Sequence, residues 1–337
     1  MNLKRFFRRA AYLGYYFRHM NWPVLRRFMR HTKHRHGVGT LRQVMSFTAN
    51  SLRYNVSPLE WYQFGFVGLR TEEKAEWAGT GTMYEFQLRA NPHAVRGVLD
   101  DKRRFHVAYH QFCRHPAWSI EDLQADADIC GRIIEANEKL VFKDATGNCG
   151  TSVTIRPSAE LSADRLIDWM EAHGFDLVEG FIEQHPDLQL LSPSGVNTVR
   201  VFTLLDAQNQ YHVLGCRLRI SVDSPVDNLA AGNLAAPIDE ATGIVSGPGV
   251  YSDITKPPEM DHPVTGTAIE GFQIPFWQET LDLVKQASLL HTENRSVGWD
   301  VVITPDGPGL IEGNHDWCKL VWQLPVGRGL KSMLDTE

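Results

Sequence analysis

The sequence predicts an α+β fold, with helices first and mostly antiparallel strands from about residue 140. Apolar residues flank turn signals in two hairpin patterns, one around residues 206–209 and one around residues 305–308. Residues 38–75 and 276–292 instead have the pattern of helices, and Ser57-Pro58 marks a helix start. Helices that alternate with hairpins are typical of α+β proteins. At 337 residues, the chain is long enough for two or three packed subdomains.

The composition is ordinary for a globular protein in water, with 43% hydrophobic and 22% charged residues. No apolar run approaches the roughly 18–20 residues that span a bilayer. The five cysteines have no CxxC spacing, which argues for reduced thiols and against a disulfide framework. We therefore expect a cytoplasmic location, either free or peripheral at the inner face of the membrane.

The net charge of −6 hides a basic N-terminal arm, residues 1–36. Residues 1–59 contain twelve Lys and Arg and no Asp or Glu, which leaves a formal charge of −18 on the rest of the chain. An apolar stripe runs along the arm at helical spacing: Phe6, Ala10, Leu13, Phe17 and Met20. Such a stripe suits either an anionic membrane surface or the protein's own body. A mitochondrial presequence is a weaker alternative, and we do not expect a nucleic-acid partner.

Three oxygen-bearing side chains share one face of the last predicted hairpin, residues 298–314. With a turn centred on Asp306, Asp300 lies opposite Glu312, and Glu312 shares a face with Asn314 because side chains alternate along a strand. Apolar side chains are expected to face the core from the other side: Trp299, Val301, Ile303 and Ile311. Two carboxylates and an amide are hard donors of the kind that Mg²⁺ prefers. The hairpin therefore predicts a magnesium site, and the alternative is an ordinary hairpin with a solvated polar face.

A lysine precedes a loop that contains two glycines. Lys143 ends a predicted strand, and Gly147 and Gly150 allow backbone N–H groups to approach an anion closely. The segment lacks the GxxxxGK[ST] pattern of a P-loop. A second lysine, Lys102, lies about forty residues upstream. Each feature is weak alone, and the order of two lysines, a glycine loop and terminal carboxylates is more specific.

Three arginines fall on one face of the other predicted hairpin. If Leu205 pairs with Gln210, the side chains of Arg200, Arg217 and Arg219 point to the same side. Guanidinium groups so placed repel one another unless anions or carboxylates meet them. The pattern thus predicts either an anion site or a ladder of surface ion pairs.

This order of motifs resembles the ATP-grasp superfamily of carboxylate–amine ligases, and within it the sugar-transfer associated ATP-grasp family. The resemblance covers about residues 95–325. The segments that carry it are Asp101-Lys102, Val141-Phe142-Lys143 with its glycine loop, residues 178–186, Asn197-Thr198-Val199-Arg200, Arg217-Leu218-Arg219-Ile220, Val226-Asp227-Asn228, His262-Pro263 and the final hairpin. The terminal D…E-x-N pattern is the most specific of them.

The resemblance implies an ATP site. Lys102 and Lys143 would hold the phosphates, and the loop from Gly147 to Gly150 would close over them. Asn228 would touch phosphate or metal. The linker between the two lobes would offer backbone groups to adenine: Glu179, Gly180, Phe181 and Ile182. The side chain of Glu183 or Gln184 would bond the ribose hydroxyls.

The resemblance also implies a reaction centre. Asp300, Glu312 and Asn314 would hold Mg²⁺ between the β- and γ-phosphates. The three arginines of the hairpin would face an acylphosphate and its tetrahedral successor and neutralise both: Arg200, Arg217 and Arg219.

The implied fold is an ATP-grasp fold, in which two α+β lobes clamp ATP, behind a mainly helical basic extension. The expected boundaries are residues 1–36 for the arm, 37–98 for a helical region, 99–180 for the first lobe and 181–337 for the second. The implied reaction joins a carboxylate to an amine at the expense of ATP. Family context points to an amino acid and an amino sugar or glycan precursor, and so to polysaccharide biosynthesis. A phosphotransferase on the same fold and a non-catalytic nucleotide-binding adaptor at the membrane surface are the alternatives.

Overall fold

Two antiparallel sheets and a helical N-terminal region make up the computed structural model, which describes residues 3–126, 128–147 and 153–335. The predicted α+β class is confirmed, and helices precede the sheets as expected. No helix in these ranges is long and apolar enough to cross a membrane.

The N-terminal helices follow the start and stop signals of the sequence. They are α1 (Leu3–Arg18), α2 (Trp22–His36), α3 (Thr40–Tyr54), α4 (Pro58–Gln63), α5 (Thr71–Ala75), α6 (Thr80–Ala90), α7 (Gly97–Asp100) and α8 (Lys102–Tyr109). Asn21 caps α2 just before Pro23, and Gly37 ends it in a left-handed conformation. Ser57 and Glu60 form a reciprocal capping box at the start of α4.

The basic arm packs against the body of the protein along part of its length. Phe17 and Met20 contact a core that buries Leu25 and Phe28 of α2. Arg9 is buried and donates to the main-chain oxygen of Leu52 at the C-terminal end of α3, where a cation also suits the helix dipole. The start of α1 differs, because its apolar side chains remain exposed.

The first sheet contains four short strands over the described residues. They are β1 (Ala117–Ser119), β2 (Lys139–Lys143), β3 (Val153–Pro157) and β4 (Leu177–Gly180), in the order β1-β4-β2-β3. Helices α9 (Ile120–Ala125), α10 (Ile129–Ala136) and α11 (Leu166–Ala172) belong to the same part of the chain. Leu140, Phe142 and Val178 face the core between sheet and helices. Alternation then turns the side chains of Val141, Lys143 and Glu179 to the opposite face.

The second sheet has the order β7-β6-β5-β8-β9. Its strands are β5 (Thr198–Leu205), β6 (Tyr211–Ile220), β7 (Leu234–Ile238), β8 (Ser296–Thr304) and β9 (Gly307–Asn314), and the associated helices are α12 (Pro186–Leu191), α13 (Trp277–Ser288) and α14 (Lys319–Gln323). One face buries Trp299, Val301 and Ile303 in the largest core. The other face packs Phe202 against Trp317 and Trp322.

Helix α8 contacts both sheets. Phe105 and Tyr109 belong to the core of the second sheet, and Nε2 of His106 lies 3.4 Å from the carboxylate of Glu179 on the first sheet. Nε2 of His315 is 2.6 Å from Oδ1 of Asp100, which brings the start of α8 near the end of β9.

Candidate functional site

The carboxylates of Asp300 and Glu312 lie on neighbouring strands, in the register that the sequence predicted. The turn between β8 and β9 is one residue shorter than a turn centred on Asp306 requires, and a bulge beyond it restores the pairing. The bulge adds Ile311 to β9, so Leu310 enters the core instead. The prediction that Ile311 faces the core was wrong, because it assumed a ladder without a bulge.

Asn314 completes a compact set of oxygen-bearing groups beside these carboxylates. Its Nδ2 lies 3.1 Å from Oε1 of Glu312. Burial raises the pKa of Glu312, and the charge of Asp300 raises it further. Two ionised carboxylates on directly paired residues of neighbouring strands are unfavourable unless a cation neutralises them. The three side chains that the sequence assigned to magnesium therefore fit a hard divalent cation in chemistry and in placement.

Two arginines from neighbouring strands meet Asp300. Nε and Nη2 of Arg200 donate to its two oxygens, with Nη2 2.8 Å from Oδ2. Nη1 of Arg219 lies 2.8 Å from the same Oδ2. Burial alone raises the pKa of Asp300, but the two guanidinium groups outweigh it and hold that pKa well below its usual range. Asp300 is thus ionised and shared between arginines.

Arg219 is held by a second carboxylate, Asp227. Its Nη2 lies 2.6 Å from Oδ1 of Asp227, and the backbone N–H of Thr198 donates to Oδ2 of Asp227 over 3.0 Å. Nε of Arg219 is buried and has no hydrogen-bond partner within the described ranges. Buried polar groups are almost always satisfied, so this N–H is suited to an anionic ligand.

Arg217 shares a register row with Arg200 but has different partners. Nε and Nη2 of Arg217 donate to the main-chain oxygen of Trp322 in α14, over 3.0 and 2.7 Å. Burial lowers the pKa of Arg217 to about 10. Its catalytic role stays a prediction, and the contacts favour an anchor for the C-terminal segment.

Lys102 lies at the first turn of α8 and reaches the glycine loop. Its Nζ donates to the main-chain oxygen of Gly147 over 2.6 Å, and its backbone N–H donates to Ala145. Gly150, the other glycine assigned to the loop, lies outside the described residues. An ammonium group over a turn of this kind is well placed for phosphate.

Lys143 and Glu179 form an ion pair across β2 and β4. The Glu179 side chain is 3% exposed and also faces His106 and His115, each at 3.4 Å. Burial raises the pKa of Glu179, but the Lys143 ammonium and the two imidazoles outweigh it and hold the pKa well below its usual range. The carboxylate is therefore ionised within a cluster that the sequence did not reveal.

The chain leaves β4 through a segment with unpaired backbone. Gly180 donates its N–H to Pro116. From Phe181 to Glu183, in contrast, no described residue pairs with a backbone N–H or C=O group. Phe181 is exposed beneath the ammonium of Lys139, and the Glu183 side chain is exposed as well. An edge with free donors and acceptors is suited to the rim of a heterocyclic base.

Among the described residues, Asn228 makes no hydrogen bond to the three arginines. Its Oδ1 accepts the N–H of Ala230, 3.0 Å away, and so caps the 3₁₀ helix Leu229–Ala231. Its assignment to phosphate or metal remains untested, and Asp227 beside it makes the contact with Arg219.

The structure thus brings the assigned residues together in two groups. One group lies on the second sheet: Arg200, Arg219, Asp300, Glu312 and Asn314. The other lies around the first sheet and α8: Lys102, Lys143, Gly147 and Glu179. No hydrogen bond or ion pair among the described residues joins the two groups.

Comparison with protein families gives a match that covers the second sheet and its surroundings. Residues 170–336 match the family model described as sugar-transfer associated ATP-grasp. The predicted resemblance to this family is thus confirmed over residues 170–336. No curated protein matches the sequence.

Solved structures of ATP-grasp enzymes superpose on the chain at low sequence identity. They include the ATP-grasp ligase PsnB complexed with minimal precursor (13% identity, TM-score 0.42, 73% of this chain and 61% of that one). They also include D-alanyl-alanine synthetase A from Vibrio cholerae (10%, 0.40, 69% and 60%) and biotin carboxylase from Campylobacter jejuni (9%, 0.47, 72% and 46%). The chain spans less than two thirds of each of these proteins.

Sequence reasoning missed three residues that contact the assigned ones. Asp227 had a detectable signal, since it is a carboxylate beside an assigned asparagine and downstream of an arginine-rich strand. His106 and His115 gave no signal, because their approach to Glu179 depends on how α8 crosses the first sheet.

Replacing Arg217 by methionine separates anchoring from catalysis. We expect the free energy of unfolding to fall by about 2–3 kcal/mol, because the buried carbonyl of Trp322 loses charged donors. We expect kcat/KM of the folded variant to stay within a few-fold of wild type. Urea unfolding and steady-state turnover measure the two effects, and a turnover loss equal to that of an Arg219 variant would assign Arg217 to the reaction centre.

Proposed function

We propose that this chain is an ATP- and Mg²⁺-dependent carboxylate–amine ligase that forms an amide through an acylphosphate. The observation that carries the proposal is the buried cluster on the second sheet. Asp227, Asp300 and Glu312 can supply three negative charges against the two positive charges of Arg200 and Arg219. Arg219 also has a buried Nε–H without a partner among the described residues. Such a cluster suits a cation and an anion side by side.

The two lysines support ATP as the phosphate donor. Lys102 and Lys143 already contact the chain's own oxygens, the carbonyl of Gly147 and the carboxylate of Glu179. Phosphate oxygens are stronger acceptors for an ammonium group than a backbone carbonyl is. We therefore infer that bound ATP replaces at least the contact between Lys102 and Gly147. The unpaired backbone from Phe181 to Glu183 would receive the adenine edge.

The chemistry needs little from the protein beyond placement and charge. A substrate carboxylate oxygen attacks the γ-phosphorus of ATP, and the bond to the bridging oxygen of ADP breaks. An amine then attacks the acyl carbon, and phosphate leaves as the nitrogen gives up a proton. Mg²⁺, when bound by Asp300, Glu312 and Asn314, neutralises charge on the phosphates.

Arg200 and Arg219 have the stabilising role in this scheme. Their guanidinium groups are fixed by Asp300 and Asp227 before any substrate arrives. Donors that are fixed in advance require no reorganisation when charge develops on the acyl oxygen. For the substrates, we propose an amino acid and an amino sugar or glycan precursor, which rests on the family's description.

The experiment is turnover of the purified chain with Mg²⁺, ATP and pools of amino acids and amino sugars. ADP with an equal amount of free phosphate, dependent on one acid and one amine, supports the ligase. Phosphate retained on an organic product would instead identify a phosphotransferase. Mg²⁺-dependent ATP binding without turnover in any pool would identify a nucleotide-binding adaptor.

We further propose that the start of α1 touches an anionic membrane surface. Leu3 and Phe7 are 69% and 64% exposed, and they lie one helical turn apart in a segment without acidic residues. Apolar side chains among basic ones favour the boundary of an anionic bilayer. Removal of the whole arm is a poor test, because Leu25 and Phe28 are buried in the core.

Phe7→Asp is expected to weaken binding to vesicles that contain phosphatidylserine by about tenfold or more, since burial of a phenylalanine contributes roughly 1.5–3 kcal/mol. Leu190→Asp is the matched control, because Leu190 is 70% exposed on α12 and should leave binding unchanged. Co-sedimentation measures both. Equal binding by wild type and Phe7→Asp would refute the membrane contact.

A further inference from the structure

A second group of ligand atoms lies away from the carboxylates of the hairpin. Nε2 of His106 is 3.4 Å from Oε1 of Glu179, and Nε2 of His115 is 3.4 Å from Oε2. One ligand atom from each of the three residues lies within 4.8 Å of the other two. The residues come from α8, from the segment before β1, and from β4, so only the tertiary fold brings them together.

The imidazole nitrogens that face the carboxylate are buried and unsatisfied. The His115 side chain is 2% exposed, and neither of its ring nitrogens has a hydrogen-bond partner in the described part of the chain. The same is true of Nε2 of His106. Two orphaned nitrogens that face one carboxylate, and a third on the His115 ring, are costly unless a ligand meets them.

The spacing matches a tetrahedral transition-metal ion. Zinc bonds of about 2.0–2.2 Å at tetrahedral angles place neighbouring ligand atoms about 3.3–3.6 Å apart. Each imidazole Nε2 lies 3.4 Å from one of the two Glu179 oxygens, His106 from Oε1 and His115 from Oε2, and this separation falls in the range. Imidazole nitrogen and carboxylate oxygen are common zinc ligands, whereas Mg²⁺ prefers oxygen ligands alone.

We propose that His106, His115 and Glu179 bind a divalent transition-metal ion of the zinc class, with a fourth coordination position left open. The Lys143 ammonium contacts the same Glu179 oxygen that faces His115. Two cations cannot share that oxygen without repulsion, so metal and ammonium are alternative partners of Glu179. The site is separate from the magnesium site and does not depend on the proposed reaction.

The test is Co²⁺ and Zn²⁺ binding by the full chain after treatment with a chelator. We expect one Co²⁺ per chain with the strong visible absorption of tetrahedral coordination, which an all-oxygen octahedral site does not give, and displacement by Zn²⁺. His106→Gln and His115→Gln should each weaken binding by more than about 100-fold, since even the loss of a residue that only hydrogen-bonds to a metal ligand costs about 10–100-fold. Lys143→Met should bind more tightly than wild type because it removes the competing ammonium.

Two variants serve as controls. His110→Gln removes an exposed histidine next to α8, and Glu312→Gln alters the magnesium site, so both should bind Co²⁺ like wild type. His106 is more exposed than His115, so its replacement tests the site even if His115→Gln does not fold. Failure of wild type to bind one ion, or binding by His106→Gln with wild-type affinity, overturns the proposal.

Discussion

Replacing Glu312 with glutamine is expected to lower Mg²⁺-dependent turnover by about three orders of magnitude. A metal ion contributes several kcal/mol of charge stabilisation to reactions of this class, and each 1.36 kcal/mol corresponds to a factor of ten in rate. The substitution keeps the shape of the side chain and its capacity to bond with Asn314. What it removes is the second negative charge beside Asp300.

In the absence of Mg²⁺ and ATP, the Glu312→Gln variant should be at least as stable as wild type. Burial and Asp300 raise the pKa of Glu312. A carboxyl with a raised pKa contributes stability below its unfolded-state pKa, and that stability is lost as the pH rises through the folded-state pKa. At neutral pH the neutral glutamine should therefore leave the melting temperature of the Mg²⁺-free protein unchanged or higher. Substitutions that remove an unfavourable interaction from a functional site commonly raise stability at the expense of activity.

The measurement is turnover together with thermal melting, with and without Mg²⁺ and ATP. Asp306→Asn is the matched control, because it removes an exposed carboxylate from the turn of the same hairpin and should leave both quantities unchanged. Wild-type activity in Glu312→Gln, with the usual response to Mg²⁺, would contradict the assignment of this residue to the metal.

The two central hairpins explain why sequence reasoning found this cluster. For β5 and β6, the expected pairing of Leu205 with Gln210 is wrong, since Leu205 pairs with Tyr211. A bulge at Phe202 and Thr203 shifts the ladder again, so that Arg200 lies opposite Arg217. The observed register differs from the expected one by two residues near the arginines. Because side chains alternate with period two, the predicted face survives a register error of two.

Contacts between distant segments were beyond the reach of sequence reasoning. Arg217 has the face that its position predicts, but its partner is a carbonyl about a hundred residues away, in α14. Lys319 follows Asn314 closely in the sequence, yet its Nζ lies 3.0 Å from Glu60, whose carboxylate also caps α4. Local alternation determines where a side chain points, and only tertiary packing determines what it meets.

The basic N-terminal arm shows a second limit of prediction from sequence. Its apolar stripe allowed both packing and membrane contact, and the fold divides the stripe between them. Phe17 and Met20 contact the core, whereas Phe6 remains 38% exposed. Helical periodicity predicts which face of a helix is apolar. It does not predict how much of that face packs against the rest of the protein.

Replacing Arg219 with glutamine is expected to produce the second large effect, on stability and on turnover together. Arg219 bonds to Asp227 and Asp300, and all three side chains are buried. Removal of one partner from a buried ion pair costs about 3–5 kcal/mol, because the remaining charge loses compensation. Loss of a fixed donor at the reaction centre should lower kcat by about 10²–10³-fold.

A double-variant cycle separates these two effects. Asp227→Asn combined with Arg219→Gln removes the unpaired charge, so urea unfolding should recover part of the lost stability. Turnover should not recover, because the donor is still missing. Arg156→Gln is the control for a surface arginine, whose pair with Glu160 is exposed and should contribute less than about 1 kcal/mol. If turnover returns with stability in the double variant, Arg219 acts by holding the fold, and the stabilising role belongs to Arg200 alone.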